Sequence, residues 1–180
     1  VRLTRDFYAQ PARDVAVQLL GARLVRKLPD GSSAVGRIVE VEAYIGPEDL
    51  ACHAAKGRTA RTEVMFGPPG YAYVYFVYGM HHCFNVVTDE VGHASAVLVR
   101  ALEPLEGIDG PTNGPARLCK TLGIDRSFNG ADLCAGEIYV QRGTPPARIK
   151  ATARIGVDYA GRWARRRLRF FDPDSAWVST

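Results

Sequence analysis

Between Tyr71 and Asn85 the chain spells out a β-hairpin in residue types alone. Tyr71, Tyr73, Tyr75 and Val77 alternate with Ala72, Val74, Phe76 and Tyr78, a run of β-formers in two-residue period. Gly79-Met80-His81 then supplies a tight reversal, and His82–Thr88 reads as the return strand. Gly67-Pro68-Pro69-Gly70 is a turn that introduces the first strand. A helix cannot present this alternation, so the middle of the chain has to be sheet. Tyr78 falls at or beside the hairpin tip, where a strand tyrosine has little to pack on. Two readings of it stay open: it folds back on its own hairpin, or it offers an aromatic wedge to a partner.

A second strand, Ala34–Tyr44, follows Arg23–Leu28 through the turn Pro29-Asp30-Gly31-Ser32, so the two pair as an antiparallel hairpin. Alternation sends Val39, Val41 and Ala43 to one face and Glu40, Glu42 and Tyr44 to the other. The second set is either an exposed, solvated sheet face or two carboxylates and a tyrosine lining a site. A third strand, Ala94–Leu102, is apolar except for Arg100, and an arginine in such a run needs a partner. A carboxylate such as Glu42, a phosphate, an oriented water, or escape to the sheet edge would each satisfy it.

The remaining elements are short. Pro11–Leu20 reads as a helix closed by Gly21, with positions 12, 15, 16 and 19 on its apolar face. Gly114–Leu122 reads as a second helix, opened by Pro115 and closed by Gly123. Glu103–Pro111 reads as a loop. Asp49–Ala55 reads as a turn or short helix that carries His53 back toward the sheet. Strands are expected at Glu137–Gln141, Ala153–Val157 and Leu168–Phe171, with a turn or helix around Trp163. No repeat or linker divides the chain, so residues 1–180 are expected to form one α+β domain: a curved, antiparallel-rich mixed sheet with short helices and a protruding hairpin.

The composition is that of an ordinary globular protein, and no apolar run is long enough for a membrane span or a signal peptide, so a cytoplasmic protein is expected. Lysine and arginine total 23 against 19 acidic residues. The distribution says more than the balance: acids gather in Glu40–Asp49, bases in Lys56–Arg61 and Arg162–Arg169. A cationic rim around an acidic centre suits a polyanion that docks while chemistry happens elsewhere, although a solvated charged surface gives the same counts. Cys52, Cys83, Cys119 and Cys134 lack a Cys-x-x-Cys pair, and adjacent residues on a strand point to opposite faces, so reduced thiols are expected rather than a metal site.

A carboxylate beside an arginine can activate water, tyrosines and a histidine can make a slot for a flat ring, and a hairpin-tip aromatic can hold a base stack open. Enzymes that act on a base inside duplex DNA need all three. The chain resembles the alkyladenine (3-methyladenine) DNA glycosylase family. The resemblance is carried by Gly36–Tyr44, Gly46–Asp49 with His53, Met65–Tyr75, Tyr78-Gly79-Met80, Asn85, Leu98–Pro104, Asn113-Gly114-Pro115 and Leu118-Cys119. It covers nearly the whole chain in order. It implies that Glu42 is the general base for attack at the sugar C1′, with Arg100 orienting it and the water. It implies that Tyr44 stacks on one face of a flipped purine and that His53 and Tyr75 stack on the other. Asn85 would screen the purine 2-position, and the His53 main chain would contact the 6-position. Tyr78 would be the minor-groove wedge, with Met80 beside it at the DNA, and Arg58 and Arg61 would touch phosphates. The resemblance implies action on damaged purines in double-stranded DNA by monofunctional hydrolysis without a cofactor, and a monomer is the simple expectation for an enzyme that wraps a bent duplex. The lysines, Lys27, Lys56, Lys120 and Lys150, lie outside the motifs that carry the resemblance, although Lys56 follows His53 closely, and no residue presents itself as the acid that protonates a neutral leaving base. Two departures stand out: the connection Gly107–Asn113 is short for the family, and His81 replaces a frequent aromatic.

Two other classes fit parts of the pattern. A nucleosidase could use Glu40 and Glu42 as a carboxylate pair about 7 Å apart on one strand face. A non-catalytic binding module could recognise damaged DNA and leave the base in place.

Overall fold

The computed structural model describes residues 1–77 and 79–179. The expectation placed on Tyr78 therefore lies outside the described residues. The strands are β1 (Arg23–Lys27), β2 (Ser33–Tyr44), β3 (Ala72–Val77), β4 (His81–Thr88), β5 (Ser95–Glu106), β6 (Ile138–Gln141), β7 (Lys150–Thr152) and β8 (Arg169–Phe171). The helices are α1 (Arg5–Tyr8), α2 (Ala12–Leu19) and α3 (Pro115–Leu122). One sheet runs β3-β4-β5-β2-β1-β6, with β8 added to β2 and β7 to β8. Each of these pairings is antiparallel. The expected α+β domain is thus a curled antiparallel half-barrel with a few short helices. No helix among the described residues is long and apolar enough to cross a membrane.

Alternation builds two faces from each central strand. Ala72, Val74, Phe84, Val86, Val97, Val99, Val41 and Ala43 enter the main core together with α2 and α3. Helix α2 buries Ala12, Val15, Ala16 and Leu19, the stripe its spacing predicts. Helix α3 starts on Pro115, and Gly123 ends it in the left-handed conformation with its N–H on the Cys119 and Lys120 carbonyls. The opposite sheet face is left to the site.

Strand β2 changes neighbours along its length. Its first half pairs with β1 and Glu40–Glu42 pairs with β8, while β5 runs along the other edge. The β2–β5 register slips between Ile38 and Glu40 and again between Glu40 and Val41, which leaves Arg100 as an extra residue in β5 between Val99 and Ala101. Bulges of this kind sharpen the twist and re-aim side chains.

The structure corrects three sequence expectations. Glu103–Pro111 is not all loop, because β5 continues to Glu106 and absorbs Pro104 at a register slip opposite Gly36. Ala153–Val157 is not a strand; the strand is Lys150–Thr152, and the following stretch leaves the sheet to cover β2. Helix α1 had no counterpart in the sequence reading, since four residues carry too little periodicity to show. The short connection after β5 is tied down: Leu102 N donates to the Thr112 carbonyl at 3.0 Å and Thr112 Oγ1 donates to the Leu102 carbonyl at 2.6 Å. Gly107 is required there, because its φ is +62° and a Cβ would stand 2.1 Å from the Ser33 carbonyl oxygen.

Candidate active site

The second face of the sheet lines a cavity of about 360 Å³, a size in the range of small-ligand sites. Its floor repeats the two-residue period on four neighbouring strands: Tyr73 and Tyr75 on β3, Cys83 and Asn85 on β4, Leu98 and Arg100 on β5, and Glu42 and Tyr44 on β2. The loop after β2 contributes His53, and the stretch after β7 contributes Ile155 and Tyr159. Six of the residues singled out in the sequence, Glu42, Tyr44, His53, Tyr75, Asn85 and Arg100, therefore line one cavity.

Glu42 is fully buried and every oxygen has a donor. Its Oε1 accepts from the Tyr44 hydroxyl at 2.9 Å and from Arg100 Nη1 at 3.5 Å. Its Oε2 accepts from the Ile155 N–H at 2.7 Å. Burial raises its proton affinity, while the Arg100 charge, the Ile155 N–H and the Tyr44 hydroxyl pull it down; the net direction is upward. A carboxylate so placed is a better base than an exposed one and is still held in one orientation. Arg100 meets Glu42, one of the partners the sequence allowed for it, but its shorter contact is to Glu40, from Nε to Oε2 at 3.0 Å.

Glu40 does not line the cavity, and its oxygens are taken by Arg100, Arg169 and Ser179. This overturns the nucleosidase reading, which needed Glu40 and Glu42 to face a substrate as a pair. The alternation holds from Glu40 to Tyr44 but not at Val39, where the register slip puts Ile38 with Val41 and Ala43 in the core; the accessibility of Glu40 was misread, because the segment from β7 to Ser179 folds over it.

His53, Tyr73 and Tyr75 form an aromatic wall. The His53 and Tyr75 rings lie 4.3 Å apart at 66° and the Tyr73 and Tyr75 rings 5.5 Å apart at 40°, distances at which such rings attract. His53 Nδ1 and the Tyr73 hydroxyl are 2.9 Å apart. Burial, with Arg61 and Lys56 nearby, lowers the His53 pKa from 6.5 to about 4. His53 is thus neutral at pH 7. Because its folded pKa is depressed, the unfolded chain binds a proton first as pH falls. The stability it contributes is present above pH 6.5 and is lost as pH falls toward 4. Melting temperature measured against pH should show this fall for the native chain, and His53→Gln should flatten it.

Asn85 is buried and donates from Nδ2 to the Tyr73 carbonyl at 3.1 Å, so its amide is fixed in the cavity wall. Arg61 donates to the Phe76 carbonyl at 3.2 Å and lies 5.6 Å from the Tyr75 ring centroid, behind the aromatic wall. Arg58 holds Glu63 through Nε at 2.8 Å and Nη2 at 2.6 Å on the surface. An exposed pair of this kind is weak enough for a phosphate to displace. Met80 is 71% exposed at the hairpin end, where Val77 pairs with His81. Met80, Arg58 and Arg61 do not line the cavity.

Sequence reading missed the group that organises the cavity's far wall. Arg154 is buried and grips Asp49 with Nη1 at 2.6 Å and Nη2 at 2.9 Å, and also donates to the carbonyls of Ala43 and Trp163. Asp49 in turn accepts from the Ile45 and Ala51 N–H groups. This pair ties the stretch after β7 to the loop after β2 and so sets Ile155 N against Glu42. An arginine inside the strand expected at Ala153–Val157 gave no signal of it. The cysteines are free thiols, as expected, with Cys52, Cys83 and Cys119 buried.

An anchored, buried carboxylate beside a slot of aromatic rings has the parts to hold a flat ring and to act on water next to it. Comparison with known proteins supplies the class. Residues 6–176 match the family described as Methylpurine-DNA glycosylase (MPG). A protein of Myxococcus xanthus is 57% identical over 181 residues, spanning 98% of this chain and 93% of that one. Proteins of Methanocella arvoryzae, 52% identical over 98% of this chain and 95% of its own length, and of Legionella pneumophila, 49% identical over 99% and 98%, are equally well covered. All three are provisionally named 3-methyladenine DNA glycosylases. The chain belongs to the methylpurine-DNA glycosylase family and is a DNA-repair hydrolase of N-glycosyl bonds.

Proposed function

We propose that this glycosylase flips damaged purines, of the 3-methyladenine, 7-methylguanine, hypoxanthine and ethenoadenine class, out of duplex DNA and hydrolyses the bond to the sugar with water activated by Glu42. The observation that carries the reading is the position of Glu42: buried, held at both oxygens, and in the wall of a cavity that also presents Tyr44, His53 and Tyr75. The purine lies among these rings, an electron-rich setting that favours a base carrying alkylation charge. Asn85 stands in the wall where it screens the 2-position of the purine, and the His53 main chain meets the 6-position. As the bond from C1′ to the base nitrogen breaks, positive charge grows on the sugar. A water oxygen bonds to C1′ and passes its proton to Glu42, while the bonding pair leaves with the base. Arg100 holds Glu42 and the water in line. An alkylated base already carries its charge and leaves neutral.

The reading extends to the surface. Tyr78 wedges into the gap left by the base, Met80 lies against the DNA beside it, and Arg58 and Arg61 meet the phosphates as a single chain grips the bent duplex. Tyr78→Ser should weaken binding to lesion DNA by about 1–3 kcal/mol, the scale of one base–aromatic stack, with little change in melting temperature. Equal binding by the variant in a fluorescence-anisotropy titration would remove the wedge from the account. The test of the whole reading is base release from duplexes carrying one hypoxanthine or one 7-methylguanine, scored by alkaline cleavage against heat-only controls. Release from both supports the stated class. Release from the methylated duplex alone narrows it to cationic bases, and release from neither defeats it.

A further inference from the structure

Glu40 is a buried acid without a part in the chemistry above, yet it gathers more donors than Glu42 does. Its Oε2 accepts from Arg100 Nε at 3.0 Å, Arg169 Nε at 2.6 Å and Ser179 Oγ at 2.9 Å. Its Oε1 accepts from the Ser179 N–H at 2.7 Å. Ser179 Oγ, while donating to Glu40, accepts from Arg100 Nη2 at 3.4 Å. The Arg100 guanidinium is therefore held at Nε by Glu40 and at Nη2 by Ser179, and its Nη1 is the nitrogen left for Glu42, at 3.5 Å. Two fixed points on a planar group determine where its third nitrogen points. We infer that Glu40, Arg169 and Ser179 are positioning residues that clamp Arg100 and aim its Nη1 at Glu42.

The arrangement has a physical logic. A long arginine side chain loses rotamer freedom when it is ordered, and the clamp imposes that loss before substrate arrives. Ala101 pairs with Glu40 and Val99 with Val41, so the bulge leaves Arg100 unpaired between them, within reach of both Glu40 and Glu42. Arg169 also donates to Thr152 Oγ1 at 3.0 Å, so the clamp is tied to β7 as well as β8. Burial alone would raise Glu40, but Ser179, Arg169 and Arg100 hold its carboxyl below the ordinary range, so it keeps its charge. That fixed negative charge, in sharing Arg100 with Glu42, pushes the Glu42 proton affinity upward. The titratable groups that face Glu42 are Glu40 and Tyr44 from β2, Tyr75 from β3, Cys83 from β4, Arg100 from β5, and Arg154 and Tyr159 from the stretch that covers the sheet. Glu40 is the carboxylate among them, and Arg100 holds it together with Glu42.

The inference rests on Glu42 as the base, so Glu42→Gln is assayed in parallel. Single-turnover release of hypoxanthine with enzyme in excess is measured across pH for the native chain, Glu42→Gln, Glu40→Gln, Ser179→Ala and Ser179→Thr, with binding to the same duplex measured separately. Ser179→Ala should bind as the native chain does and release base about three- to tenfold more slowly, and Ser179→Thr, which keeps the hydroxyl, should recover most of the rate. Glu40→Gln removes a negative charge and frees Arg100 for Glu42, so the acid limb of its release profile should move to lower pH. If Glu40→Gln does not fold, the pair of Ser179 variants decides. Native rate and an unmoved acid limb in the clamp variants, with Glu42→Gln inactive, overturn the clamp and leave the base assignment standing. Full activity in Glu42→Gln overturns the base assignment instead.

Discussion

Replacing Glu42 with glutamine is expected to slow base release by about 10²–10⁴-fold, the usual contribution of a positioned general base, while binding to lesion DNA stays close to native. Glutamine keeps the shape and can still accept at one oxygen, from the Tyr44 hydroxyl or the Ile155 N–H. Arg100 keeps Glu40, so the substitution does not leave a buried cation unpaired. What it removes is the capacity to take a proton from water. The pH dependence gives a second readout. With Glu42 as the proposed base, release needs it ionised, and its folded proton affinity is raised above that of a free glutamate. The native rate should therefore fall, as pH decreases, at a higher pH than an ordinary carboxylate would set. The residual rate of the variant should lack that limb. A variant that releases base at the native rate would remove Glu42 from the chemistry.

The largest effect on stability is expected at Arg154. Arg154→Ala leaves Asp49 buried without its cation, and breaking one side of a buried pair costs about 3–5 kcal/mol. Two carbonyls, of Ala43 and Trp163, lose a donor at the same time. For a chain of this size each kcal/mol shifts melting by roughly 2–4 °C, so the loss should be plain in a thermal melt. Part of the cost is the stranded acid rather than the lost attraction. The double change Asp49→Asn with Arg154→Met should then be less harmful than Arg154→Ala alone. A single variant that melts with the native chain would mean that water or a rearranged loop satisfies Asp49. The activity of whatever Arg154→Ala still folds should also be low, because the same residue sets Ile155 N against Glu42.

The site was legible in the sequence wherever it followed strand alternation. Glu42 and Tyr44, Tyr73 and Tyr75, and Leu98 and Arg100 stand two residues apart, and each pair lies on the cavity face. The hairpin was legible because Gly79 and the tyrosine run have few other uses, and α3 because Pro115 and Gly123 mark its ends. What failed to show were contacts between distant segments. Glu40 shares the face of Glu42, but Ser179, far along the chain, closes over it. Arg154 read as one more strand residue, and its partner Asp49 lies 105 positions earlier.

The sequence by itself determined which residues share a face, where the turns fall and which side chains are fit for the chemistry. These follow from backbone geometry and residue type over a few neighbours. Tertiary structure alone decided which of two like carboxylates faces the cavity. Glu40 and Glu42 sit two residues apart on one strand, but long-range packing surrounds the first with Arg169, Ser179 and Arg100 and gives the second a cavity wall. Proton affinity is set by burial and by the charges that fold against a group, and neither is a local property of the chain.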